Sequence, residues 1–196
     1  DLYRDNITSA TISDGVTNVG DFAFYNCRNL VTVSIPDSVT SIGDHAFYQC
    51  YELTTADLSD NVTVIGNHAF YWDQKLEFSD LPANITTIGT SAFYYCEKIT
   101  SLTIPDSVTS IGSSAFCLCN HLETVTFPDS ANLNFTSIPD YCFSSCYVLT
   151  LDTVPYGITT IGSGALSGCT SITTLTLPST VKTLNYASFS GSGLEK

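Results

Sequence analysis

The chain has 196 residues, of which 43% are hydrophobic and 13% charged, a balance that can build a core and is unlike that of a disordered chain. Nineteen Asp and Glu against six Lys and Arg give a net charge of −13, which repels phosphate backbones and anionic head groups and argues against nucleic acid as a partner. No apolar run approaches the roughly 18 residues needed to cross a bilayer, no signal-peptide pattern opens the sequence, and the lack of methionine marks Asp1 as a processed or cut start, so the chain reads as an excerpt.

Residues 1–6 read as a lead-in, 7–194 as one solenoid and 195–196 as a cut end. Two columns fix the period. The Ile42-Gly43 pair returns at Ile65-Gly66, Ile88-Gly89, Ile111-Gly112 and Ile161-Gly162, with Ile138-Pro139 as a variant. The Ala46-Phe47 pair returns in parallel at Ala69-Phe70, Ala92-Phe93 and Ala115-Phe116, and both columns step by 23 residues except for one step of 27. Such a period marks a solenoid whose units bury their apolar faces only against neighbours. Eight coils begin at 7, 30, 53, 76, 99, 122, 149 and 172.

Each coil opens on an alternating stretch, with Val33 and Ile35 inward and Thr32 and Ser34 outward, which predicts a strand; stacked in register, these strands make a parallel sheet. A turn such as Pro36-Asp37-Ser38 ends the ladder. Val39 to Ile42 then predicts a second, shorter strand, Gly43 turns the corner, and Asp44 to Tyr48 has room for a short helical or 3₁₀ turn. The Phe of the Ala-Phe pair fills the coil interior.

Departures from the period carry more information. Four extra residues fall within 130–135, predicting a bulged loop in coil six. Ser79 and Asp152 occupy the inward slot held elsewhere by Val33 or Leu102, while Phe78 and Leu151 just before them are apolar, which predicts a local strand shift. Lys182, Asn185 and Ser188 weaken the last coil, as in an end cap or a cut before a further coil.

Cys27, Cys50, Cys96, Cys119, Cys146 and Cys169 fall in one column, with Asp73 and Ser192 in the same slot. Side chains leaving in-register coils point the same way and resist the torsion of a disulfide, so this column reads as buried structural thiols.

The phrases IPDSVTSIGDHAFYQC (Ile35 to Cys50) and IPDSVTSIGSSAFCLC (Ile104 to Cys119) resemble the 23-residue repeat of the BspA-like, or Treponema-type, leucine-rich-repeat proteins, from Ile7 to about Leu194. The resemblance implies an α/β repeat solenoid: a leucine-rich-repeat stack with a parallel β-sheet on one face, a second short strand per coil and short helical or 3₁₀ turns. It also implies a protein secreted or displayed on bacteria or mucosal protists. Members are often adhesins that bind host matrix proteins, other cells or one another. The family supplies no catalytic residues and no cofactor.

His45 and His68 share a column in neighbouring coils, but Asp44 and Asn67 beside them read equally as turn caps, and no metal site is assigned. Cys117 and Cys119 lack a second pair to complete a zinc site, and no phosphate loop, nucleophile elbow or metalloprotease motif occurs, so the chain is not read as an enzyme. Two surface patterns stand out. Tyr48, Tyr71, Trp72, Tyr94 and Tyr95, with Tyr25 and Tyr51 near, form an aromatic strip that either packs coil on coil or anchors a ligand. Asp57, Glu77, Phe78 and Asp80 interrupt the Ser/Thr outer face of the main sheet as a candidate binding face for a basic partner.

The Asn-x-Ser/Thr sequons at Asn6, Asn61, Asn84 and Asn134 matter only in a eukaryotic source. The reading is a non-enzymatic cell-surface or secreted interaction module, adhesin-like toward an extracellular protein or glycan. The alternatives are a structural spacer that displays another domain and, remotely, an ice-binding solenoid built on pairs such as Thr124/Thr126.

Overall fold

An apolar residue between two hydroxyl residues is the pattern of a half-buried strand. In the computed structural model, which describes residues 4–78, 80–129 and 131–194, that pattern forms the first face of an eight-coil stack. On it β1 (Ser9–Thr11), β3 (Thr32–Ser34) and β5 (Thr55–Ala56) pair in parallel, with Ala10 opposite Val33 and Val33 opposite Ala56. Farther along, β8 (Ser101–Thr103) and β10 (Thr124–Thr126) pair separately. Coil seven joins its neighbours through isolated bridges, Thr124 to Thr150 and Thr153 to Thr176.

The second face is the more continuous one. Here β2 (Asn18–Val19), β4 (Ser41–Ile42), β6 (Val64–Ile65), β7 (Thr87–Ile88) and β9 (Ser110–Ile111) make a five-stranded parallel sheet. After the insertion in coil six, β11 (Ser137–Ile138), β12 (Thr160–Ile161) and β13 (Thr183–Leu184) make a three-stranded one. Threonine side chains reinforce the ladder: Oγ1 of Thr40, Thr63, Thr86 and Thr109 each donates to the carbonyl 23 residues earlier, at 3.0 to 3.2 Å.

The corner segments are turns, not helices, because alternate residues bond in different directions. The N–H groups of Ala46, Tyr48 and Cys50 donate three residues back, as in a 3₁₀ turn, to Gly43, His45 and Phe47. Those of His45, Phe47 and Gln49 donate instead to Asn67, Ala69 and Tyr71 of the next coil, at 2.7 to 2.8 Å. To aim them there, His45 and Gln49 adopt φ of 56° and 58°. A left-handed residue costs about 1–2 kcal/mol, which the inter-coil bonds offset. The 3₁₀ helix of the described residues is Arg4–Asn6.

Glycine after the second strand serves a different need from the corner-turning that the sequence suggests. A Cβ on Gly89 would lie 2.5 Å from the Asn67 nitrogen and from the Gly66 carbonyl carbon, so it is the approach of one coil to the next that excludes a side chain. Inside, Phe24, Phe47, Phe70, Phe93, Phe116 and Phe143 form one column of parallel rings, centroids 5.0 to 5.8 Å apart and planes within 8°. The rings from Phe47 to Phe116 are wholly buried, and the Ala before each is buried too. Burying one such ring contributes roughly 1.5–3 kcal/mol.

Candidate functional site

The first face is interrupted at coil four because an apolar residue, Phe78, stands just before the polar Ser79 to which the period assigns the inward slot. Phe78 takes it: the ring is half-buried and packs on Phe93 of the core column, centroids 5.1 Å apart and planes at 57°. Phe78 is therefore not the outward residue that the alternation suggests, but part of the floor. Ser79, which would hold that slot in a regular coil, lies outside the described residues. With no strand of coil four on this face among the described residues, β5 and β8 are left unpaired to each other.

A depression of about 240 Å³ results, with Phe78, Leu81, Pro82 and Phe93 below and Asp57, Glu77 and Asp80 around it. All three carboxylates are exposed. Among the described residues the ion pair shown joins Lys75 to Glu52, away from these three. A shallower hollow on the other side of Phe78 and Glu77 runs to Lys98, Thr100 and Ser101. Asp60 and Asp106 extend the acidic character toward coil five, but each has a structural duty: Asp60 accepts the Ala83 N–H at 2.8 Å, and Asp106 accepts the Asn132 side-chain amide at 2.7 Å. The latter bond pins the coil-six loop, with Asn134 bonded to the Asp106 carbonyl at 2.7 Å. Ser130 in that loop is outside the described residues.

The aromatic strip lies along the corner segments. Tyr25, Tyr48, Tyr71 and Tyr94 stack in sequence at 5.0, 4.9 and 4.7 Å, so each ring face is covered by the next ring. Phe22, His45 and His68 stack alongside at 4.8 Å, and Trp72 leans on Tyr95 at 5.3 Å. Burial, and then the neighbouring phenols or thiol, push the Tyr48, Tyr71 and Tyr94 hydroxyls up from their ordinary value; for Tyr95 a hydrogen bond to Glu97 is the leading cause, followed by the Glu97 charge and burial. Burial, and then His45, hold His68 below the usual imidazole value, and Nδ1 of both histidines is buried without a partner. This is a packed ladder showing ring edges to solvent. Asp44 and Asn67 cap the following coil rather than their own turn: Asp44 accepts the Asn67 N–H at 2.7 Å, and Asn67 that of Thr90 at 2.9 Å. Among the described residues no three His, Cys, Asp or Glu converge as metal ligands.

All eight cysteines are buried, and none is in a disulfide among the described residues. Spacing placed six of them in a column; the structure adds what holds them there. Sγ of Cys50, Cys96, Cys119, Cys146 and Cys169 donates to the carbonyl of a core Phe in the coil before, at 3.1 to 3.3 Å. That role suits a small side chain that can be buried and still donate a proton.

Comparison with known proteins fits this geometry. The family model described as BspA type leucine rich repeat region matches in six copies, over residues 2–96 and 63–195. No curated protein matches the chain. Among solved structures, a leucine-rich repeat protein from Bacteroides ovatus superposes with a TM-score of 0.88 at 28% identity, covering 97% of this chain and 51% of that one. The leucine rich repeat protein of T. pallidum gives 0.73 at 31% identity, covering 85% and 78%. A leucine rich cell surface protein from Faecalibacterium prausnitzii gives 0.56 at 27% identity, covering 95% and 62%. The chain thus spans about half the length of the first of these.

Proposed function

This chain belongs to the BspA-type leucine-rich-repeat family, and we propose that it acts as a non-enzymatic interaction module outside the cell, engaging a basic segment of a partner protein at the coil-four depression. Leucine-rich-repeat solenoids are in general protein-interaction modules, and the regular face they present loses little entropy on contact. One observation carries the choice of site: where the first face breaks, three exposed carboxylates surround an apolar floor of Phe78, Leu81 and Phe93. A lysine or arginine can lay its methylene stem on such a floor while its charged head meets the rim. The net charge of −13 steers a basic partner toward the molecule before contact. Placement at the surface draws support from the F. prausnitzii relative, described as a cell surface protein.

The aromatic strip is the weaker candidate for protein or glycan binding, since a sugar or side chain would need a ring face and the faces of Tyr48 and Tyr71 are covered on both sides. Anisotropy titration with fluorescent Lys/Arg-rich peptides and with extracellular-matrix fragments tests the reading. The wild-type chain should bind, with affinity falling as salt shortens the screening length below about 10 Å. The triple variant Asp57→Ser, Glu77→Thr, Asp80→Thr should bind at least about tenfold more weakly, the effect of losing roughly 1.4 kcal/mol. Binding by neither protein would favour a spacer that displays another domain.

A further inference from the structure

Asp73 stands alone among thiols: one period before it is Cys50, one period after it Cys96. Its side chain is 0% exposed. Oδ1 accepts the Cys50 N–H at 2.8 Å, whereas Oδ2 is buried with no partner. The register identifies what Oδ2 must face. At Cys50, Cys96, Cys119 and Cys169 the column side chain donates to the carbonyl of the Phe 26 residues earlier, and Cys146 does the same across the insertion. Twenty-six residues before Asp73 is Phe47.

A carboxylate in this slot would set one acceptor against another, with no water to solvate the charge. A carboxylic acid would not: its O–H replaces the thiol S–H as donor to the Phe47 carbonyl, while Oδ1 keeps the Cys50 amide. The titratable groups that face Asp73 from the adjoining coils are the Cys50 and Cys96 thiols, which burial itself keeps protonated. No charged side chain enters its surroundings among the described residues, and burial pushes its carboxyl far above the usual carboxylate range, opposed in part by the Cys50 amide.

We propose that Asp73 is built into the stack as an un-ionised carboxylic acid that bonds coil three to the Phe47 carbonyl of coil two, and that loss of this proton in alkaline solution releases the seam across coils two to four. The transfer is simple: the Oδ2–H proton goes to hydroxide or buffer base, and the resulting carboxylate loses its only donor function. The seam carries Trp72, the chain neighbour of Asp73, and joins coils two to four, the same coils that hold Asp57, Glu77 and Asp80 of the proposed partner site.

The sign follows from linkage. In the unfolded chain Asp ionises near about 3.9, while in the folded chain it stays protonated to much higher pH. Stability from this residue is therefore fully present below about pH 4 and declines as pH rises, until Asp73 ionises in the folded state too. The decline is about tenfold in the unfolding equilibrium constant per pH unit.

Urea unfolding of the wild type, Asp73→Asn and Asp73→Cys between pH 4 and 9, read by the fluorescence of Trp72, the one tryptophan, tests this. The amide and the thiol both keep a donor for Phe47 and cannot ionise as a carboxylate, so either serves if the other fails to fold. Both variants should match the wild type near pH 4 and become more stable relative to it by about tenfold per pH unit until Asp73 ionises in the folded state. Mass-spectrometric thiol labelling of the native chains at pH 9 should find Cys50 and Cys96 labelled faster in the wild type than in Asp73→Asn, with Cys119 and Cys146 unchanged between them. A wild-type-to-variant ratio that is flat with pH, or that favours the wild type as pH rises, would overturn the proposal, because Asp73 would then be an accommodated carboxylate.

Discussion

Gly89 and Gly20 occupy the same position in the repeat, yet alanine should affect them in opposite directions. Gly20 belongs to the first coil, and a Cβ there meets nothing within 4 Å. On Gly89 the same atom would sit 2.5 Å from the Asn67 nitrogen and the Gly66 carbonyl carbon, both backbone, where ordinary contact begins at 3.4 Å. Relief requires coils three and four to part by about 0.9 Å. The bonds Gly89 N to Ile65 O and Thr86 N to Thr63 O, each 2.8 Å, would then stretch beyond useful length. Overpacking costs about 1–3 kcal/mol and each of the two strained hydrogen bonds about 1 kcal/mol, so Gly89→Ala should lose roughly 3–5 kcal/mol. Gly20→Ala should gain up to about 1 kcal/mol by restricting the unfolded chain. Urea denaturation followed by far-UV circular dichroism gives both values. Equal effects of the two substitutions would refute the assignment of this glycine column to inter-coil contact.

Three further outcomes follow from the packing. Tyr71→Ser removes a ring stacked on Tyr48 and Tyr94 and should cost about 1–3 kcal/mol by thermal or urea unfolding, whereas Tyr156→Ser, at a 61% exposed side chain, should leave stability unchanged. A thiol reagent should find almost no fast-reacting group in the native chain and all eight after unfolding without reductant, since every cysteine is buried and outside any disulfide; Cys117, whose thiol burial raises to about 11, should be the first to react as the pH is raised, being 8% exposed. Phe78→Ala should cost less than Phe70→Ala, because Phe78 is only half-buried while Phe70 is stacked between Phe47 and Phe93 and its loss costs about 3–5 kcal/mol.

The columns were legible because a solenoid writes its core once per period: Ile42, Ala46, Phe47 and Cys50 each recur and are each buried. The break at coil four was legible too, as a conflict between Phe78 and Ser79 for one slot, although alternation alone put Phe78 on the outside. Other features depend on distances between coils, which a period does not encode. The Gly column looks like a corner in sequence and proves to be a contact. The corner segment has the length of a helical turn, but nothing in Asp44 to Tyr48 announces that alternate N–H groups will be aimed at the next coil. The first face was expected to be the regular sheet, and the two-residue strands of the second face instead make the longer ladder, because their Thr column adds side-chain bonds and no residue in that column breaks the pattern before the coil-six insertion. Asp73 was visible as an exception to the thiol column, while its orphaned oxygen was not.

The most direct test of the function is to map, by amide chemical-shift perturbation, where a Lys/Arg-rich peptide or a matrix fragment found to bind contacts the labelled chain. Shifts should concentrate at the amides of Asp57, Glu77, Phe78, Asp80 and Leu81 and fade at high salt. Shifts confined to Tyr48, Tyr71, Trp72, Tyr94 and Tyr95, or spread evenly over the stack, would contradict a binding site at the coil-four depression.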